Sequence, residues 1–84
     1  MADITSVVVY GSGCKKCKQL HVSAEAAVKQ AGLSVEVEYV TDIMAIAAAG
    51  IMSTPALSIN GRIVSTGKVL SEDAVVALLA QAAE

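Results

Sequence analysis

Two cysteines, Cys14 and Cys17, are the residues of this 84-residue sequence best suited to chemistry, and they are its only cysteines. They follow the segment Gly11-Ser12-Gly13 and are separated by Lys15 and Lys16. Residues three apart on a helix lie on neighbouring parts of one face, so the two sulfur atoms could close a small disulfide ring. Because a thiolate is the attacking species in disulfide exchange, the pair indicates thiol–disulfide chemistry.

The two sulfur atoms are expected to differ in exposure. We expect Cys14 to lie at the start of a helix, where unpaired N–H groups and the positive end of the helix dipole stabilise a thiolate. Lys15, Lys16 and Lys18 add positive charge, with a modest effect if they point into solvent. This lysine cluster is either a solvated face or a docking patch for acidic partners. Cys17 begins the apolar face of the same helix and should be less accessible. We therefore predict that Cys14 attacks a target disulfide and that Cys17 resolves the mixed disulfide.

The elements around the cysteines are predicted from hydrophobic pattern and turn residues. The β-branched run 4–10 predicts a buried strand, and the glycines after it precede a helix over 14–31 that Gly32 ends. Alternation over 33–40 predicts a strand at a sheet edge. The remaining predictions are a short helix capped by Thr41 or Asp42 and stopped by Gly50, a hairpin of strands 56–59 and 62–66 around Asn60-Gly61, and a last helix capped by Ser71.

This order, β-α-β-α-β-β-α, predicts one α/β domain over residues 1–84 with a four-stranded mixed sheet flanked by helices. The first crossover joins parallel strands, and the hairpin adds an antiparallel pair. The helix after the cysteines should bury Cys17, Leu20, Ala24, Ala27, Val28 and Ala31. The last helix should bury Val75, Val76, Leu78, Leu79 and Ala82. Met44 and Met52 are interpreted as core residues.

Composition excludes several classes of protein. The chain is 55% hydrophobic and 17% charged, which argues against a disordered tail. Its net charge of −2 argues against nucleic acid as the main partner. The apolar stretch 43–52 is about half the roughly 20 residues that a membrane helix needs, and the first residues lack the basic region of a secretory signal. We therefore expect a soluble, cytoplasmic domain without a membrane partner.

Several alternative readings remain open for the chemistry-bearing residues. The cysteines could be ordinary buried thiols, or two ligands of a zinc site that needs four. They could also form a soft-metal module or metallochaperone for Cu(I) or Zn, or a redox sensor that changes partner affinity. His21 is a proton donor to the pair, a further metal ligand or a partly exposed helix residue. Tyr10 either packs in the core or flanks the site.

Five landmarks in order give the sequence a resemblance to a known family. They are Val9-Tyr10-Gly11-Ser12-Gly13-Cys14-Lys15-Lys16-Cys17, Val40-Thr41-Asp42-Ile43, Ser53-Thr54-Pro55-Ala56, Asn60-Gly61 and Gly67. With these spacings, nearly the whole chain resembles the thioredoxin superfamily. More narrowly, it looks like the small prokaryotic thioredoxin-like redox-active disulfide proteins of glutaredoxin size.

The resemblance implies a thioredoxin-like fold and a thiol–disulfide oxidoreductase that carries electrons. Cys14 would be the nucleophile and Cys17 the resolving thiol, and the Cys14–Cys17 disulfide would be the redox centre, with no other cofactor and no metal. Pro55 would be a cis proline facing the disulfide, and the Thr54 backbone would hydrogen-bond an extended target segment. Gly13, Lys15 and Lys16 would also contact substrate.

The same resemblance implies partners. These are protein disulfides as substrates and a thioredoxin-reductase-like electron donor, and the protein itself would be a monomer. The sequence departs from the family pattern where thioredoxins have Trp before the first cysteine and Gly-Pro between the two, since Gly13 and Lys15-Lys16 stand there. Nor does the first strand, 4–10, contain the buried acid of thioredoxins. These departures leave the redox potential and the reductant open.

Overall fold

A computed structural model describes residues 4–13 and 15–82 of the chain, so Cys14 and both termini lie outside the described residues. Over these ranges the element order is β-α-β-α-β-β-α, as predicted. The elements are β1 Val7–Tyr10, α1 Lys15–Gln30, β2 Val37–Val40, α2 Ile43–Ala48, β3 Ala56–Ile59, β4 Arg62–Thr66 and α3 Glu72–Ala82.

The sheet is mixed and has the strand order β2-β1-β3-β4. β1 runs parallel to β2 and antiparallel to β3, and β3 pairs with β4 in an antiparallel hairpin. The prediction of an edge position for β2 is therefore confirmed. In register, Tyr10 lies opposite Val40 on one side and Ala56 on the other. The segments after β1, after β2 and before β3 therefore lie at the same end of the sheet, where β1 and β2 end and β3 begins.

The main core lies between the sheet and the helices α1 and α3. Its buried members are Val7, Val9, Leu20, Ala24, Ala27, Val28, Leu57, Ile59, Val75 and Leu79. Val76, Leu78 and Ala82 of α3 are only partly buried and pack at its margin. The predicted burial of Ala31 is wrong, because α1 ends at Gln30 and Ala31 is exposed. Gly32, at φ +72°, and the bond from Leu33 N–H to the Val28 carbonyl end the helix there.

Both β1 and β2 are shorter than the hydrophobic pattern predicts. The pairing of Val7 with Val37 is the first rung of their ladder. Before it, the backbone N–H groups of Thr5 and Ser6 donate to the Asn60 side-chain oxygen, at 2.7 Å and 3.2 Å. A side chain on the hairpin turn therefore satisfies the donors that a longer strand would have used.

The short helix α2 places its methionine in solvent. Asp42 caps α2 by accepting a hydrogen bond from Met44 N–H at 2.9 Å, which confirms one of the two predicted caps. Interpreting Met44 and Met52 as core residues is wrong, since they are 78% and 97% exposed. The helix α2 has six residues, and Ile46 is the one whose side chain is buried. Ile46 then packs in a small second core cluster, formed with Ile51 and Ala56.

The hairpin and the last helix follow the predicted local signals. Asn60 and Gly61 both have positive φ, 55° and 80°, as the predicted two-residue turn requires. The Ser71 hydroxyl accepts a bond from Ala74 N–H at 3.2 Å and caps α3. Within the described ranges, no helix is long and apolar enough to span a bilayer.

Candidate functional site

The candidate site lies at the end of the sheet where β1 and β2 end and β3 begins. Cys14 falls outside the described residues, but its neighbours in the chain, Gly13 and Lys15, are described. Lys15 is the first residue of α1. The dithiol sequence therefore spans the junction between the β1–α1 loop and the first turn of the helix.

Cys17 is fully buried in the first turn of α1, at 0% exposure. The predicted low accessibility of this sulfur is confirmed. Its side chain lies against the backbone of Gly11, where an added Cβ would come within 2.5 Å of both Cys17 Cβ and Cys17 Sγ. Gly11 is itself fixed, because its N–H donates to the Val40 carbonyl at 2.9 Å. Only a residue without a side chain fits at position 11, between the end of β1 and Cys17.

The residues flanking the dithiol in sequence face solvent. Lys15, Lys16 and Lys18 are all exposed. Gly13 has φ +89°, and an added Cβ there would meet no atom within 4 Å. Gly13 is therefore required by backbone conformation rather than by crowding. The three predicted substrate-contacting positions Gly13, Lys15 and Lys16 are thus together at the entrance to the helix.

Thr54 and Pro55 lie at the same end of the sheet, in the segment that leads into β3. The peptide bond between them is cis, as predicted from the resemblance. Pro55 is buried and Thr54 exposed. The Pro55 carbonyl accepts a bond from Gly67 N–H at 2.8 Å, which ties the segment before β3 to the end of β4. Because Ala56 pairs with Tyr10, Thr54-Pro55 lies next to the segment that begins at Gly11.

An aromatic pair borders the cysteine on the β2 side. The ring of His21 stacks on that of Tyr39, with 4.7 Å between centroids and an interplanar angle of 29°. His21 Nε2 also lies 3.1 Å from Glu25 Oε1. The Tyr39 ring reaches back to Gly11, since its Cε1 would lie 3.5 Å from an added Cβ there. The sequence-based interpretations of His21, as a proton donor, a metal ligand or a partly exposed helix residue, did not include this ring contact.

Tyr10 packs against the second core cluster. It is half-buried against the cluster of Ile46, Ile51 and Ala56, which confirms the packing interpretation. Three exposed apolar side chains lie in the two segments beside the site: Ile43, Met44 and Met52. Met44 and Met52 were not predicted at the surface because both were assigned to the core.

Metal-ligating side chains do not gather in the part of the chain that is described. Among residues 4–13 and 15–82, no three His, Cys, Asp or Glu side chains lie close enough to hold a metal ion. That search does not include Cys14.

The fold and the buried helix cysteine define the class of protein. A family model described as "Thioredoxin domain" matches residues 5–80. Thioredoxin of Methanothermobacter thermautotrophicus is 32% identical over 73 residues, which cover 87% of this chain and 95% of that protein. Thioredoxin of Methanocaldococcus jannaschii is 33% identical over 67 residues, covering 80% of this chain and 77% of that protein. The chain belongs to the thioredoxin-domain family, a family of thiol–disulfide oxidoreductases.

Proposed function

We propose that this protein reduces disulfides in other proteins through Cys14 and Cys17 and receives its electrons from a thioredoxin-reductase-like donor. The observation that carries the proposal is the complete burial of Cys17 in the first turn of α1, two residues after the exposed Lys15. A thiol in that position is inaccessible to a protein target but is three residues from Cys14. No resident cofactor or metal is needed, because the dithiol itself supplies two electrons.

The reaction runs in two exchanges. The Cys14 thiolate attacks one sulfur of the target disulfide, so a Cys14–target S–S bond forms and the target's other sulfur leaves as a thiolate. Cys17, after losing its proton, then attacks the Cys14 sulfur. The Cys14–Cys17 bond forms and the second target sulfur leaves. Two electrons and two protons pass from the protein to the target, and the donor restores the dithiol.

The residues around the dithiol support these steps. The positive end of the α1 dipole and the charges of Lys15 and Lys16 favour a thiolate at the start of the helix. Gly13 adds no side chain there, which leaves room for a target backbone. In the segment before β3, the exposed Thr54 beside the buried Pro55 offers its backbone to an extended target segment.

We assign the protein to the cytoplasm as a monomer. A reducing compartment keeps a dithiol of this kind available as a reductant. Sedimentation of the reduced and the oxidised protein tests the monomeric state. A dimer in the reduced form would contradict it.

The test is covalent trapping with single-cysteine variants. With a disulfide-bonded protein substrate, Cys17→Ser should accumulate a mixed disulfide through Cys14, because the resolving sulfur is missing. Cys14→Ser should accumulate none, since Cys17 is buried. Trapping by Cys14→Ser alone would reverse the roles of the two cysteines. Ser12→Ala, an exposed neighbour, is the matched control and should turn over normally.

A redox titration of the unmodified protein, scored by alkylation and mass, gives the second test. We expect one two-electron transition between the dithiol and a Cys14–Cys17 disulfide. A protein that forms no such disulfide at any potential would overturn the proposal. Titration with Cu(I) would then test the metal-binding alternative.

A further inference from the structure

An open groove of about 660 Å³ lies between α1 and the segment that leads into α3. Its walls include Lys15, Lys18, Val22 and Ser23 on α1, and Val69 and Leu70 before α3. The groove begins at the residue that follows Cys14 in the chain. It therefore extends the candidate site along the helix, on the side of Lys15.

The groove has an apolar floor that is open to water. Val22 is 65% exposed and Val69 is 40% exposed, and Leu70 beside them is half-buried. Val22 lies off the buried face of α1, which is made by Cys17, Leu20, Ala24, Ala27 and Val28. Single exposed valines are common, but here two of them border the same groove next to a leucine. Covering these side chains with an apolar group would be favourable.

Among the described residues, the charged side chains that line the groove are positive. Lys15 and Lys18 line its α1 side, and their aliphatic stems can cover apolar surface while the ammonium groups stay in water. Glu72 and Asp73, which follow the groove residue Ser71 in the first turn of α3, are exposed and are not among the residues that line the groove. An occupant that complements this lining has acidic groups toward α1 and an apolar group toward Val69.

The groove is within reach of a target held at the dithiol. Lys15 and Val22 are seven residues apart on α1, or about 10 Å at the rise of a helix. An extended peptide covers about 3.3 Å per residue, so about three residues span that distance. We propose that the groove docks an acidic segment of the target protein, with one large apolar side chain about three to five residues from the reacting cysteine. This inference rests on the proposed function, whose target class it narrows.

Three synthetic peptides test the proposal. Each is closed by one disulfide and carries, three residues from a cysteine, the segment Glu-Leu-Glu, Lys-Leu-Lys or Glu-Ser-Glu. Each reaction converts the protein dithiol to a disulfide and the peptide disulfide to two thiols, and alkylation with mass detection follows both. We expect the Glu-Leu-Glu peptide to react about five- to tenfold faster than Lys-Leu-Lys at low salt. This advantage should shrink at 1 M salt, where the Debye length is about 3 Å.

Variants assign the preference to the groove. Lys18→Glu should remove or invert the preference for acidic peptides, whereas Lys29→Glu should keep it. Lys29 is an exposed lysine of the same helix at its far end, so it controls for net charge. Val69→Ser should abolish the advantage of Glu-Leu-Glu over Glu-Ser-Glu. Because each comparison is a ratio of rates within one variant, changes in the reactivity of the thiols cancel.

Failure of the docking proposal differs from failure of the proposed function. Equal reduction of all three peptides, or equal effects of Lys18→Glu and Lys29→Glu, would overturn the docking proposal and leave the oxidoreductase intact. Reduction of none would overturn the function. The groove is then tested alone by NMR titration with a cysteine-free Glu-Leu-Glu peptide, where shifts at Val22, Val69 and Leu70 are expected. No shifts there would overturn the docking proposal.

Discussion

Cys17 packs directly on the backbone of Gly11. A Cβ at position 11 would lie 2.5 Å from both Cys17 Cβ and Cys17 Sγ, much closer than such atoms approach in proteins. The missing side chain lets the first turn of α1 lie against the end of β1, and this contact buries the sulfur. The glycine is thus part of the candidate site, although it has no group that could react.

Gly11→Ala should destabilise the protein by about 1–3 kcal/mol, the usual range for inserting a methyl group into a packed interior. The first turn of α1 must move away from β1, so Cys17 should also become easier to alkylate in the reduced, folded protein. Urea unfolding and alkylation kinetics measure the two effects. Ser12→Ala, one residue on and exposed, should change stability by less than about 0.5 kcal/mol. Equal stability of the two variants would contradict the contact.

The stacked rings of His21 and Tyr39 should couple energetically. For a ring pair at 4.7 Å, a double-mutant cycle with His21→Gln and Tyr39→Leu should give about 0.5–1.5 kcal/mol. The His21–Glu25 pair, tested with Glu25→Gln, should give less, about 0.2–0.5 kcal/mol, because Glu25 is largely exposed. Free energies of unfolding in urea supply both values. A larger coupling to Glu25 than to Tyr39 would show that the ring contact is not the stronger one.

Local signals predicted most of the fold. Asn60-Gly61 predicted the hairpin because both residues tolerate positive φ, and Gly32 predicted the end of α1 for the same reason. Asp42 and Ser71 predicted two helix starts, since their oxygens can accept bonds from the first backbone N–H groups. These features depend on a few neighbouring residues, and so the sequence contains all the information they need.

Features that depend on distant contacts were not predicted. Met44 and Met52 looked like core residues by composition, but α2 is too short to bury more than Ile46. The stacking of His21 on Tyr39 requires the orientation of α1 relative to β2, which no local pattern gives.

The burial of Cys17 was predicted because it begins the apolar face of its helix. The cis bond before Pro55 was predicted only from the family resemblance.

Asn60 should be more important to stability than its turn conformation suggests. Its side-chain oxygen accepts bonds from Thr5 N–H, Thr5 Oγ1 and Ser6 N–H, at 2.7 Å, 3.1 Å and 3.2 Å. Asn60→Gly preserves the φ of 55° but removes all three bonds, and should cost about 1–3 kcal/mol. Asn60→Asp keeps an acceptor and should cost less. Thermal unfolding compares the variants, and Asn60→Gly at wild-type stability would show that these bonds contribute nothing net.

Ile46 and Met44 lie two residues apart on α2, and substitution should reduce stability strongly at Ile46 and hardly at all at Met44. Ile46 is 7% exposed and packs with Ile51 and Ala56, so Ile46→Ala should cost about 2–5 kcal/mol. Met44→Gln should change the free energy of unfolding by no more than about 0.5 kcal/mol, because Met44 is 78% exposed. Met52→Gln, at 97% exposure, provides a second surface case with the same expectation. Urea unfolding of the three variants measures the contrast. A large loss of unfolding free energy in either methionine variant would show that the methionine is packed in the core.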